Sequence, residues 1–136
     1  MAIGGAGLAV AAPLTRVNVV LEPGVAPTEP IRRVLPGYLA AELAKREQDF
    51  PAGSRVEIVI REIYLTHDAG LSFGRTPDAV TGVTRVLDGR GKVLMEKRAF
   101  AAVSSESSRF DVEKDTRRVD ALARALAYWV ARDLSR

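Results

Sequence analysis

Residues 80–87 and 92–102 are two β-rich runs separated by Asp88-Gly89-Arg90-Gly91. Alternating runs on either side of a glycine-bearing bend are the sequence form of a β-hairpin. No other part of the chain constrains the fold as much, because the two strands must lie antiparallel and adjacent. Two two-residue turns fit. With Asp88-Gly89 at the turn, Arg85 falls opposite Lys92, a like-charge pair that costs stability. With Gly89-Arg90 there, Arg85 falls opposite Leu94 and Val83 opposite Glu96. The two registers differ by two residues and so give the same faces. One face carries Val80, Thr84, Val86, Val93, Met95 and Ala99 and reads as core; the other carries Arg85, Lys92, Glu96 and Arg98 and reads as solvated. A three-residue loop would change this assignment.

The same bend could be taken for a phosphate grip. A P-loop needs Gly-x-x-x-x-Gly-Lys-Ser/Thr between a strand and a helix, so that stacked amides point at the anion. Here a strand follows, no Ser or Thr comes after Lys92, and the glycine spacing differs. A KH-type Gly-x-x-Gly loop belongs between helices. The bend is read as a turn.

Upstream of the hairpin, residues 54–66 form the clearest strand. Val56, Ile58 and Ile60 face one way, and beyond Glu62 the apolar set shifts to Ile63 and Leu65, a change of phase that predicts a bulge or burial on both faces. Residues 15–22 alternate similarly, with Val17, Val19 and Leu21 on one side. Between these strands Ile31, Leu35, Leu39 and Leu43 recur every fourth residue. That spacing predicts an amphipathic helix to about Gln48, with Thr28 as N-cap, Pro30 in the first turn, and a kink or late start at Pro36. After the hairpin and a polar link at 104–114, Asp115 or Thr116 is expected to cap a closing helix. Its stripe is Val119, Leu122, Leu126, Val130 and Leu134; Trp129 borders the stripe, and Arg117, Arg124 and Arg132 point elsewhere. The order β-α-β-β-β-α predicts an α+β fold, with two helices packed on one face of a mainly antiparallel sheet.

A chain of 136 residues, 47% apolar and 27% charged, is one domain with a proper core. The domain is placed at 16–136. Residues 1–15, without a charged side chain and rich in small residues, are read as a flexible tail or the remnant of a signal sequence. No cysteine is present, which excludes disulfides, thiolate metal sites and a cysteine nucleophile. The formal net charge of +3 gives mild attraction to anions, less than is common in dedicated nucleic-acid domains.

Catalytic constellations are weak. His67-Asp68 would need a nucleophile or metal partner brought close by the fold, and no His/Cys/Asp/Glu cluster has ligand spacing. Glu57 and Glu62 fall on opposite strand faces unless a bulge reorients one, which argues against a carboxylate pair for glycoside hydrolysis. The residues 104–108 contain no nucleophile elbow. The surface features that remain are a basic sheet face of Arg61, Arg85, Lys92 and Arg98, and the apolar pair Leu71 and Phe73 in the long loop 67–78. Aromatic interleaving for base stacking is nearly absent from that face, with only Tyr64 and Phe100 nearby.

The order of elements, with "RVEIVIREIYL", then "GVTRVLDGRGKVLMEKRAF" and a closing amphipathic helix, resembles small proteobacterial envelope lipoprotein domains. Among these are the auxiliary lipoproteins of ABC-type transport systems and related uncharacterised families. The resemblance spans about residues 16–135 and is one of pattern; the lipidated cysteine of those proteins is not in this chain. It implies a non-enzymatic accessory or binding protein of the bacterial cell envelope, in the periplasm or associated with the outer membrane. Such a protein would have a protein partner in the envelope, or an apolar ligand between helices and sheet, and no cofactor. Membrane association would come through a segment upstream of this chain. The alternative is a cytosolic nucleic-acid-binding module that uses the basic sheet face.

Overall fold

The structure, a computed structural model, describes residues 14, 16–25, 29–65, 78–103 and 112–135. The elements are β1 (Val17–Leu21), α1 (Glu29–Ala44), β2 (Arg55–Tyr64), β3 (Asp78–Leu87), β4 (Val93–Val103) and α2 (Val112–Leu134). The four strands form one sheet in sequence order. β2–β3 and β3–β4 are antiparallel, as adjacent strands without a crossover can be, whereas β1 runs parallel to β2 because α1 carries the chain back between them. This is the expected α+β architecture. α1 packs against α2 and β1, and α2 lies over β3 and β4, so both helices cover one face of the sheet.

The helical stripes form that covered layer. Ile31, Leu35, Leu39 and Leu43 of α1 meet Val119, Leu122, Leu126, Val130 and Leu134 of α2, all fully or almost fully buried, over Val56, Ile58, Ile60, Val80 and Val86 of the sheet. α1 begins at Glu29 and is continuous through Pro36, so the late start is not seen, and the expected cap Thr28 lies outside the described residues. It ends at Ala44, before Gln48. There the amides of Lys45 and Arg46 bond back three residues, to the carbonyls of Glu42 and Leu43. The Gln48 side chain accepts the Leu14 amide at 2.9 Å and donates to the carbonyls of Leu43 and Arg46, the latter at 2.8 Å. It thereby fastens the chain ahead of β1 to the end of α1. α2 starts at Val112, a turn earlier than Asp115 or Thr116 would have capped it. Among the described residues no helix is long and apolar enough to cross a membrane.

Two irregularities shape the sheet. The pairing of β2 with β3 slips between Ile60 and Glu62, which leaves Arg61 as the extra residue of a bulge at the predicted change of phase. Opposite it, a Cβ on Gly82 would stand 2.1 Å from the Val59 carbonyl oxygen, so only glycine lets the two backbones approach this closely. The second irregularity lies at the hairpin. The Asp88 amide bonds the Lys92 carbonyl at 2.9 Å, the Gly91 amide bonds the Asp88 carbonyl at 3.0 Å, and Gly91 has a φ of 90°. This is the three-residue loop with a left-handed glycine, neither of the two-residue turns. The Asp88 carboxylate secures it by accepting the amides of Arg90 at 2.8 Å and Lys92 at 2.9 Å, and these two bonds hold its pKa below the ordinary value.

A further slip between Val86 and Leu87 makes Leu94 an extra residue in β4, so that Leu87 pairs with Val93 and Arg85 with Glu96. The core face keeps Val80, Thr84, Val86, Met95 and Ala99 but loses Val93, which turns outward and is exposed. Lys92 closes the loop against Asp88 and lies just ahead of β4.

Candidate interaction surface

With both helices on one side, the opposite face of the sheet is left open, and its rows follow from the pairing. Asn18, Glu57, Arg85 and Glu96 lie side by side across the four strands. In this row Arg85 donates through Nε to Glu96 Oε2 at 2.8 Å and reaches Glu57 Oε1 at 3.4 Å. The Glu96 bond, foremost, and the Glu57 bond behind it hold the Arg85 guanidinium protonated more firmly than usual. The next row is Val20, Val59, Val83 and Arg98. Beyond it Glu62 pairs with Thr81 and Thr81 with Phe100, while Arg61, at the bulge, pairs with Glu22 at 3.4 Å.

The open face is therefore mixed in charge. Arg55, Arg61, Arg85 and Arg98 are interleaved with Glu57, Glu62 and Glu96, and the carboxylate partners of Arg85 and Arg61 neutralise much of the basic character expected from sequence. The bulge brings Glu62 onto the same face as Glu57. Four residues of β3, roughly 13 Å of strand, separate the positions they oppose, too far for a catalytic carboxylate pair.

Of the expected surface residues, the fold brings Arg61 and Arg98 to one place. They line a shallow depression of about 410 Å³ with Thr81, Val83 and Phe100. Val83 is only 7% exposed although no helix covers it, and it lies at the floor of the depression between Arg61 and Arg98. Arg85 sits one row away, engaged with its two glutamates. Lys92 closes the hairpin loop, away from the depression. Leu71, Phe73, His67 and Asp68 lie outside the described residues. Sequence reasoning undervalued the apolar part of the face: Val20, Tyr64, Val93, Leu94 and Phe100 are all exposed. The alternation of 93–100 hinted at Leu94 and Phe100, but the assumed turn hid Val93. Around the edge of β4, Arg98, Phe100 and Ala102 continue into a second groove against Trp129 and Asp133 of α2. Arg132 lies over the Trp129 ring at 5.4 Å, a cation–π contact. Among the described residues no group of His, Cys, Asp and Glu is placed to hold a metal ion.

The sequence matches no protein-family model, and no curated protein is significantly similar to it. Its fold is found in solved structures. A Caulobacter crescentus protein provisionally described as a lipoprotein aligns over 95% of this chain and 93% of its own, with a TM-score of 0.58 at 20% identity. A minor lipoprotein from Acinetobacter baumannii aligns over 88% and 91%, with a TM-score of 0.52 at 15% identity. PelC from Paraburkholderia phytofirmans, a dodecamer, aligns over 93% of both chains with a TM-score of 0.53 at 14% identity. The chain thus shares the fold of small lipoproteins of proteobacteria, the group its sequence pattern resembles.

Proposed function

We propose that this protein is a non-enzymatic accessory protein of the bacterial cell envelope that binds a partner protein through the open face of its sheet. The observation that carries this reading is the one-sided architecture. Both helices lie on one face, and the other displays Val20, Tyr64, Leu94 and Phe100 among mixed charges, a composition suited to protein contact. The likeness in fold to lipoproteins supports the envelope as its place, in the periplasm or at the outer membrane, with any membrane attachment supplied upstream of this chain. An apolar ligand between helices and sheet is the weaker form of the reading, because that layer is occupied by the stripes of α1 and α2. The balanced charge of the open face likewise favours a protein over a nucleic acid.

The test combines location with capture. Cells expressing the full-length native protein are fractionated, the mass of its mature N-terminus is measured, and partners are recovered with the wild type and with Arg61→Glu. The expected result is an envelope fraction and a defined partner that the variant loses while its circular dichroism is unchanged. A cytosolic, unprocessed protein that recovers no partner would overturn the proposal.

A further inference from the structure

β4 is an edge strand eleven residues long, and among the described residues it pairs only with β3. A long edge is a template for another strand unless something blunts it. Charges usually do so, and β4 carries Glu96, Lys97 and Arg98 at its centre. The order of residues on its open face, however, is Leu94, Glu96, Arg98, Phe100. Read in reverse it becomes apolar, basic, acidic, apolar, which complements the forward order position by position.

We propose that two copies of this chain pair β4 against β4, antiparallel, about a two-fold axis at Lys97. In that register Glu96 stands opposite Arg98 of the second copy and Leu94 opposite its Phe100, each contact occurring twice. Directly opposed residues on one face of an antiparallel pair are close enough to interact. Neighbouring two-fold registers lose this match: an axis at 96 sets Glu96 against its own copy, and an axis at 98 does the same to Arg98.

The charges of the single chain point the same way. Arg85 is shared by two carboxylates, Glu57 and Glu96, while Arg98, one row on, has no carboxylate partner among the described residues. The Glu96 side chain is 51% exposed and its Oε2 alone meets Arg85. Its remaining oxygen is free to accept Arg98 from the second copy, and the excess negative charge of one row meets the excess positive charge of the next. The pairing also shelters Leu94 and Phe100, which are 39% and 57% exposed. Lys97 meets its own copy at the axis, on the helical side of the sheet. Its Nζ lies 3.5 Å from the Asp133 carbonyl in the last turn of α2, where the negative helix end offsets the repulsion. The product is an eight-stranded sheet whose two open faces form one surface, so the pairing goes beyond the proposed function without depending on it.

The chain has no cysteine, which makes a single introduced thiol an unambiguous probe. Opposed residues in an antiparallel pair have Cα atoms about 4.5–5.5 Å apart, within the range a disulfide spans. In the full chain, Lys97→Cys is expected to oxidise to a covalent dimer. Ala102→Cys, whose counterpart would lie far along the strand, is not. Sedimentation of the unaltered protein is expected to show a monomer–dimer equilibrium, and Arg98→Glu to raise its dissociation constant about tenfold. Arg98 is exposed, so that variant keeps the fold. A protein that stays monomeric, a Lys97→Cys that does not cross-link, or equal cross-linking of both cysteine variants would each overturn the proposal. So would an assembly unaffected by Arg98→Glu.

Discussion

Arg118 of α2 donates through Nε to Oδ2 of Asp78 at 2.8 Å and through Nη2 to Oδ1, a two-pronged ion pair that joins the second helix to the first residue of β3. Both side chains are buried, at 7% and 2% exposure. The pair fixes where β3 begins beneath α2.

Replacing Asp78 takes both prongs of this contact from a guanidinium that is itself buried. Asp78→Ala is expected to lower stability by about 3–5 kcal/mol, whereas the apolar double variant Asp78→Leu with Arg118→Met costs much less. Urea unfolding of the three proteins decides this. Equal losses in the single and double variants would show that the charges are not what matters.

Gly82 is held by its neighbours' backbone, which cannot swing aside as a side chain can. Gly82→Ala is expected to cost about 3 kcal/mol, since the new carbon must displace the Val59 carbonyl. Gly37, in α1, has open space around it, and there alanine is expected to stabilise by up to about 1 kcal/mol through helix propensity. Thermal unfolding of both variants should give shifts of opposite sign.

Thr84 lies on the core face with its hydroxyl oxygen buried and without a hydrogen-bond partner. Replacing it with valine keeps the branched shape and removes the unsatisfied group. Thr84→Val is expected to stabilise the fold by about 1 kcal/mol, read from the urea midpoint at unchanged slope. A destabilised variant would mean that the hydroxyl is satisfied in solution.

Between the helices, Tyr38 donates its hydroxyl to Asp120 Oδ1, and Arg124 donates to Asp120 Oδ2 at 3.0 Å while lying 4.3 Å over the Tyr38 ring. The hydrogen bond to Asp120, aided by burial, raises the Tyr38 phenol above its ordinary pKa. Burial pushes the Asp120 carboxyl up, but the bonds from Tyr38 and Arg124 outweigh it and leave the group below its ordinary value. The Asp120 contribution to stability is therefore present above about pH 4 and lost as pH falls through the lower folded value. That of Tyr38 is present below about pH 10 and lost as pH rises through the raised folded value. Asp120→Asn is expected to flatten the acid limb of a stability–pH profile and to move the ultraviolet titration of Tyr38 downward. An unmoved tyrosinate titration would show that the hydrogen bond does not persist in solution.

What the sequence made legible depended on how locally each feature is determined. The stripes of α1 and α2 need only the helical period, and every residue named for them is buried. The bulge at Arg61 was visible because the alternation of β2 itself changes phase. The hairpin register was not, because it rests on Gly91 taking a left-handed conformation and on a second extra residue, Leu94. That register decides what opposes Arg85. Read with a two-residue turn, Arg85 met Lys92 or Leu94 and the face looked basic; with the observed loop it meets Glu96, and the face is mixed. The pairing of Asp78 with Arg118 gave no local sign, since forty positions separate them and only the packing of α2 on β3 brings them together.

The Gln48 clasp gives the domain a mechanical entry point. A pull arriving through the segment ahead of β1 reaches Leu14, 1% exposed and tied by its amide to Gln48, before it reaches the β1–β2 ladder. Gln48 is anchored in turn to the last carbonyls of α1, so this bond links the chain ahead of β1 to the helical layer as well as to the sheet, and a load is shared between the two.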